Sequence, residues 1–168
     1  MLFSIFAGLF FLSEQFQLRV SSMLTVFTGT ENENASMQKS LVRLKIWPAA
    51  YETGIEQLPL GTGIGDANDV LHQKYVDNGM IQNMERMLNA HNQYLQTFIA
   101  AGTLGILALL SLLLVPAFLS MRQMDWPYLV FLTIIIINFL FESMFQTQAG
   151  IVFFAFMNTL LFSSYLKK

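Results

Sequence analysis

Cysteine is absent from this 168-residue sequence, and charge is scarce: 12% of residues are Asp, Glu, Lys or Arg. Without thiols there is no disulfide framework, no thiolate metal site and no thiol nucleophile, and the redox compartment leaves no mark on the composition. Soluble domains carry roughly one quarter charged residues, so an ordinary water-soluble fold is disfavoured. The net charge of −2 offers no basic surface of the kind that binds nucleic acid, which is excluded as an expected partner. What is abundant is apolar: 54% of residues are hydrophobic and 16 are Phe. This is the composition of a membrane protein.

The apolar runs give the organisation. Residues 1–12 are apolar but about twelve long, where a single crossing needs about twenty. The first basic residue, Arg19, follows that run instead of preceding it, unlike a signal peptide. The expectation is the end of a truncated transmembrane helix, with further N-terminal helices of the same protein as missing partners; a reentrant or interfacial helix is the alternative. Phe16, Val20, Met23, Leu24 and Phe27 recur at helical spacing and predict an amphipathic interfacial helix. Residues 28–36 read as a polar loop. Residues 37–51 read as a helix that Pro48 kinks or ends, 59–65 (PLGTGIG) as a turn-rich loop, and 68–87 as partly helical.

From Phe98 to Leu119 the sequence is almost uninterrupted apolar over about 22 residues, enough for a crossing. Ala101 and Gly105 in it form a small-xxx-small pair suited to close helix packing. Asp125 is placed to cap the next helix and Pro127 to lie in its first turn. The predicted fold is all-α: a polytopic membrane helix bundle with a large extracytoplasmic, mainly helical loop over residues 13–94. Three transmembrane helices follow within 95–168, at about 95–120, 126–142 and 149–166. Arg122 and the Lys167–Lys168 pair share one side if the crossings alternate, which makes that side, and the C-terminus, cytoplasmic.

Few residues in the loop bear chemistry. Asn89 suits an N-cap, which puts His91 in the first turn of the long apolar helix, where exposed N–H groups favour a neutral imidazole and hence a general base. A histidine that only hydrogen-bonds at the interface fits the same position. Arg43 and Trp47 lie one helical turn apart, and a guanidinium outside the membrane suits phosphate oxygens, although for Arg43 taken alone a surface salt bridge to Glu52 or Glu56 is the favoured reading. Glu142 is the one acid in the closing apolar stretch, at the outer end of its helix; near-membrane carboxylates are costly enough to invite a functional reading, and an interfacial Glu exposed in a turn fits the position equally. PLGTGIG lacks the Lys and Ser/Thr of a phosphate-binding loop, since Asp66 follows Gly65; its glycines are better read as allowing positive φ or close backbone approach. Asp66, Asp69 and His72 share a helical spacing that could offer oxygen and nitrogen ligands, but solvated polar residues are the favoured reading. No metal and no cofactor are expected.

Arg43 followed by Trp47, then PLGTGIG, then AHNQYLQ leading into Gly102-Thr-Leu-Gly105, with Glu142 and Gly150 near the end, resembles the C-terminal half of the O-antigen ligase and polymerase family. The resemblance implies a membrane glycosyltransferase of the bacterial inner membrane, with its large loop in the periplasm. It moves a glycan from a polyprenyl-diphosphate carrier to an acceptor hydroxyl on a lipid or another glycan. It further implies that Arg43 binds the diphosphate and that His91 activates the acceptor, with Trp47, Asn92 and Glu142 completing the substrate-binding set. A further arginine that such enzymes use has no counterpart in this sequence, so the chain alone is expected to need the rest of its protein. The alternatives are a polysaccharide polymerase of the same family and a non-enzymatic transporter or channel fragment.

Overall fold

The computed structural model describes residues 35–80 and 88–165. The chain forms two compact units, residues 1–45 and 46–168. The expected end of a crossing at residues 1–12 and the amphipathic segment at 16–27 lie outside the described residues, as do residues 81–87. The described residues form five α-helices and contain no strand: α1 (Ala35–Glu56), α2 (Ala67–Asp77), α3 (Gln93–Arg122), α4 (Trp126–Phe141) and α5 (Gln148–Tyr165), with a 3-10 turn at Met144–Gln146 before α5. The all-helical class follows from the sequence. Among the described residues α3 alone is long and apolar enough to cross a membrane; α4 and α5 are shorter apolar helices.

In the first unit the described part is the opening of α1, on which Arg43 is half-buried. In the second unit α1 runs on to Glu56 through Pro48. Proline removes one helical donor and usually kinks or breaks a helix. Here the turn after it is held by buried Ala49 and Ala50 and by the Thr53 hydroxyl donating to the Ala49 carbonyl at 2.8 Å, so the helix that was expected to kink or end there persists. Gly54 lets α1 sit directly on the ring of Phe98, which a methyl group would overlap. Lys74 of α2 ties back to α1, 2.6 Å from Glu56 and 3.4 Å from Glu52. The Glu56 hydrogen bond, foremost, raises the lysine above its ordinary pKa.

The helices α3, α4 and α5 pack around one aromatic cluster. Leu109 and Leu113 of α3, Tyr128, Phe131, Leu132, Ile135 and Phe139 of α4, and Phe154 of α5 are its buried members. Phe145, in the 3-10 turn, is edge-on to Phe139 at 4.9 Å and to Phe154 at 5.2 Å. Edge-on aromatic pairs of this kind contribute about 0.5–1.5 kcal/mol each beyond the area they bury. Tyr128 donates to the Asn158 side chain across α4 and α5 at 2.8 Å. Asp125 occupies the N-cap position of α4, with Pro127 in the first turn as expected, but its carboxylate makes no capping bond.

The long helix is broken. Gly102 has φ 58° and ψ −149° inside α3, which disrupts the hydrogen bonds of the turn around it. The 59–65 loop supplies the replacements: Thr62 N–H donates to Ile99 O at 2.9 Å, Gly63 N–H to Ala100 O at 2.9 Å, and Thr103 N–H to Pro59 O at 3.0 Å. The Thr103 hydroxyl adds a second bond to Pro59 O at 2.9 Å. Buried backbone groups must find partners, so a helix interrupted in its interior persists only where other parts of the protein provide them. Gly61 and Gly63 have positive φ, and a Cβ at Gly61 would strike the backbone of Ala100 to Gly102. Of the PLGTGIG glycines, Gly61 serves the close approach read from the sequence and Gly63 the positive φ, while Gly65 has open space and an ordinary φ. A Cβ added at Gly105 would meet Ala101 and Thr97 of its own helix.

Candidate functional site

The residues around His91 are placed by a chain of amides. The Asn89 side chain accepts the His91 N–H at 3.0 Å, and the Ala90 N–H donates to the side-chain oxygen of Gln96 at 3.2 Å. Gln96, almost fully buried, donates in turn to Asn68 at 2.9 Å. Asn68 donates to Gln146 at 3.3 Å. Gln93 accepts the Phe145 N–H at 2.7 Å. Thus α2, the start of α3 and the turn between α4 and α5 are fastened at one place. Buried amides with both donor and acceptor satisfied fix a single geometry, because any shift leaves a desolvated polar group unpaired.

Asn92, not Asn89, is the N-cap of α3: its side-chain oxygen accepts the Leu95 N–H at 3.1 Å. Asn92 also donates its side-chain N–H to Leu140 O at 3.2 Å and its backbone N–H to the Ser143 hydroxyl at 3.2 Å. The expected helix start was three residues early. Asn89 spends its side chain on the His91 backbone, which turns the chain before the helix begins. His91 therefore precedes the helix instead of lying in its first turn, with φ 45°. A non-glycine residue in the left-handed region is uncommon and costs about 1 kcal/mol or more, and such positions cluster at functional sites.

This conformation turns the imidazole toward the end of α4. Nδ1 of His91 stands 3.7 Å from Oε2 of Glu142, with the two side chains 31% and 55% exposed. That separation is within ion-pair reach and beyond a hydrogen bond. Nδ1 itself is buried, so the accessible part of the ring is its other side. Glu142 ends α4 in an extended conformation, and neighbouring Ser143 is buried. Gly150 allows the turn to close, since a methyl group there would meet the Met144 carbonyl.

Of the five expected site residues, the structure brings His91, Asn92 and Glu142 together. Arg43 belongs to the first compact unit. Trp47, in the second, is half-buried on α1, and its indole N–H has no hydrogen-bond partner among the described residues. Glu52 and Glu56, considered as salt-bridge partners for Arg43, are engaged by Lys74. His72 is buried with Nε2 3.2 Å from the Leu88 carbonyl, and no cluster of three or more His, Asp and Glu suited to a metal occurs among the described residues. Sequence reading missed Gln96, Gln93 and Asn68. Their only signal is an excess of amides where the apolar run begins.

No curated protein and no solved structure matches the chain. Residues 1–110 match the O-antigen ligase family, a span that takes in α1, α2, the glycine loop, His91 and the broken part of α3 and stops before α4. With most of its length matched, the chain belongs to the O-antigen ligase family, a family of bacterial membrane proteins with ligase- and polymerase-like roles in glycan handling.

Proposed function

We propose that the chain carries the acceptor-activating part of a membrane glycosyltransferase that moves a glycan from a polyprenyl-diphosphate carrier to an acceptor hydroxyl. The observation that carries this reading is the approach of His91 to Glu142 on a left-handed backbone beside the N-terminus of α3. With Nδ1 buried on the side of the Glu142 carboxylate, the opposite nitrogen of the ring is the one an acceptor can reach, and it serves as the base. In the reaction the acceptor oxygen forms a bond to the anomeric carbon as its proton passes to Nε2 of His91. The bond from that carbon to the diphosphate oxygen breaks, and its electron pair leaves with the polyprenyl diphosphate. Arg43 binds that diphosphate and offsets its charge, which makes it a better leaving group. Trp47 completes the substrate-binding residues, and Asn92, whose side chain is engaged by Leu95 and Leu140, acts as a positioning residue that fixes the backbone next to His91.

In this reading α3 crosses the inner membrane, with α4 and α5 as shorter crossings. The His91 end then faces the periplasm, and Arg122, whose guanidinium lies 4.6 Å over the Phe118 ring, marks the cytoplasmic end. The test is a transfer assay with the full-length protein in lipid nanodiscs, a defined polyprenyl-diphosphate-linked glycan and a hydroxyl acceptor. The expected result is release of polyprenyl diphosphate only when acceptor is present. Passage of glycan across the membrane with no new glycosidic bond would support a transporter and contradict the proposal.

A further inference from the structure

The glycine loop has an outer side that the break in α3 does not use. Leu60 and Ile64 are 68% and 85% exposed, and Ile55 and Leu58 beside them are also exposed. Large aliphatic side chains at the tip of a loop are ordinarily either buried or replaced by polar residues. This loop is not free to hide them, because its backbone bonds to Ile99, Ala100 and Thr103 and its two positive-φ glycines fix its course. From Gln57 to Gly65 it carries no charge; the charges resume at Glu56 on one side and Asp66 on the other.

Its level along α3 is defined by the same bonds. The loop is fastened at Ile99 to Thr103, and the exposed apolar surface of α3 begins at the next residue with Leu104 and Leu107 and continues to Met121. That surface spans about 27 Å at 1.5 Å per residue, the thickness of a bilayer's hydrocarbon. We infer that Leu60 and Ile64 dip into the outer leaflet at the level of its interface, at the edge of the hydrocarbon that Leu104 to Met121 cross, so that the 57–65 loop is a second membrane contact fastened to the break in α3. The occupant of this apolar patch is bilayer lipid. Continuity with the apolar surface of α3 and the uncharged loop both favour it over a protein partner, and the inference rests on the reading of α3 as a crossing.

The absence of cysteine makes the test direct. The full-length protein, with any cysteine outside these residues replaced by serine, is reconstituted into vesicles of phosphatidylethanolamine and phosphatidylglycerol as Leu60→Cys, Ile64→Cys, Leu112→Cys or Asp77→Cys, each carrying one nitroxide. Collision with oxygen, which partitions into lipid, is compared with collision with a water-soluble nickel chelate. Labels at 60 and 64 are expected to give an oxygen-to-nickel ratio severalfold above that of the aqueous label at 77 and below that of the label at 112, which lies midway along the apolar surface of α3. If 112 reports lipid while 60 and 64 report water, the inference is overturned and the crossing stands. Shielding of 60 and 64 from both reagents would mean that protein covers them and would likewise overturn it. A water-exposed label at 112 would overturn the crossing, and the inference with it.

Discussion

Glu142 Oε2 lies 3.7 Å from Nδ1 of His91, bringing the end of α4 against the residue that precedes the N-cap of α3. The carboxylate touches the base and not the reacting atoms, so it acts as a positioning residue. Replacing it with alanine is expected to lower kcat for transfer by about 10- to 100-fold, less than the loss of the base itself. KM for both substrates should be nearly unchanged, and Glu142→Asp should recover much of the loss. A fall in membrane abundance equal to the fall in activity would reduce Glu142 to a structural role.

Asn92 caps α3 and fastens it to Leu140 and Ser143. Asn92→Ala removes the cap and leaves the Leu140 carbonyl without this donor, a cost of about 1–2 kcal/mol. Thermal unfolding in detergent should shift down accordingly. Asn92→Asp retains the capping oxygen and should lose less.

Gly102 combines positive φ with a Pro59 carbonyl where a methyl group would lie. Gly102→Ala therefore has to displace the glycine loop or straighten α3, and should destabilise the protein by about 2 kcal/mol or more. Gly63 also has positive φ but open space around it, so Gly63→Ala should cost only about 1 kcal/mol. Melting temperatures of the two variants, measured side by side, check the order.

Tyr75 is fully buried, and its hydroxyl has no hydrogen-bond partner among the described residues. Burial raises its pKa above the ordinary phenol value. Ionisation then favours the unfolded chain: the phenol's contribution to stability is complete below about pH 10 and declines as pH rises beyond it. Tyr75→Phe should raise stability by about 1 kcal/mol at neutral pH by removing an unpaired buried hydroxyl. Melts at neutral and alkaline pH should also show a smaller alkaline decline for the variant.

The helical class was legible because apolar periodicity and length are properties of the chain itself. The glycine loop was legible because few reasons exist for three alternating glycines that bind no phosphate, and close backbone approach is one. The break at Gly102 was not, since Ala-Gly-Thr-Leu-Gly within an apolar run reads as unbroken helix until a distant loop supplies other partners for Ile99, Ala100 and Thr103. The start of α3 was misplaced because Asn89 and Asn92 are equally good caps in isolation, and only tertiary bonds to Leu140 and Ser143 decide between them. Glu142 could be singled out as a costly carboxylate, but its approach to His91 depends on how α4 packs against α3.

The role of His91 as the base is tested most directly by glycan transfer in membranes holding equal amounts of full-length wild-type and His91→Ala protein, with a defined polyprenyl-diphosphate donor. The account predicts a loss of about 10²- to 10⁴-fold in transfer rate with membrane insertion unchanged. Transfer by His91→Ala at the wild-type rate would contradict it.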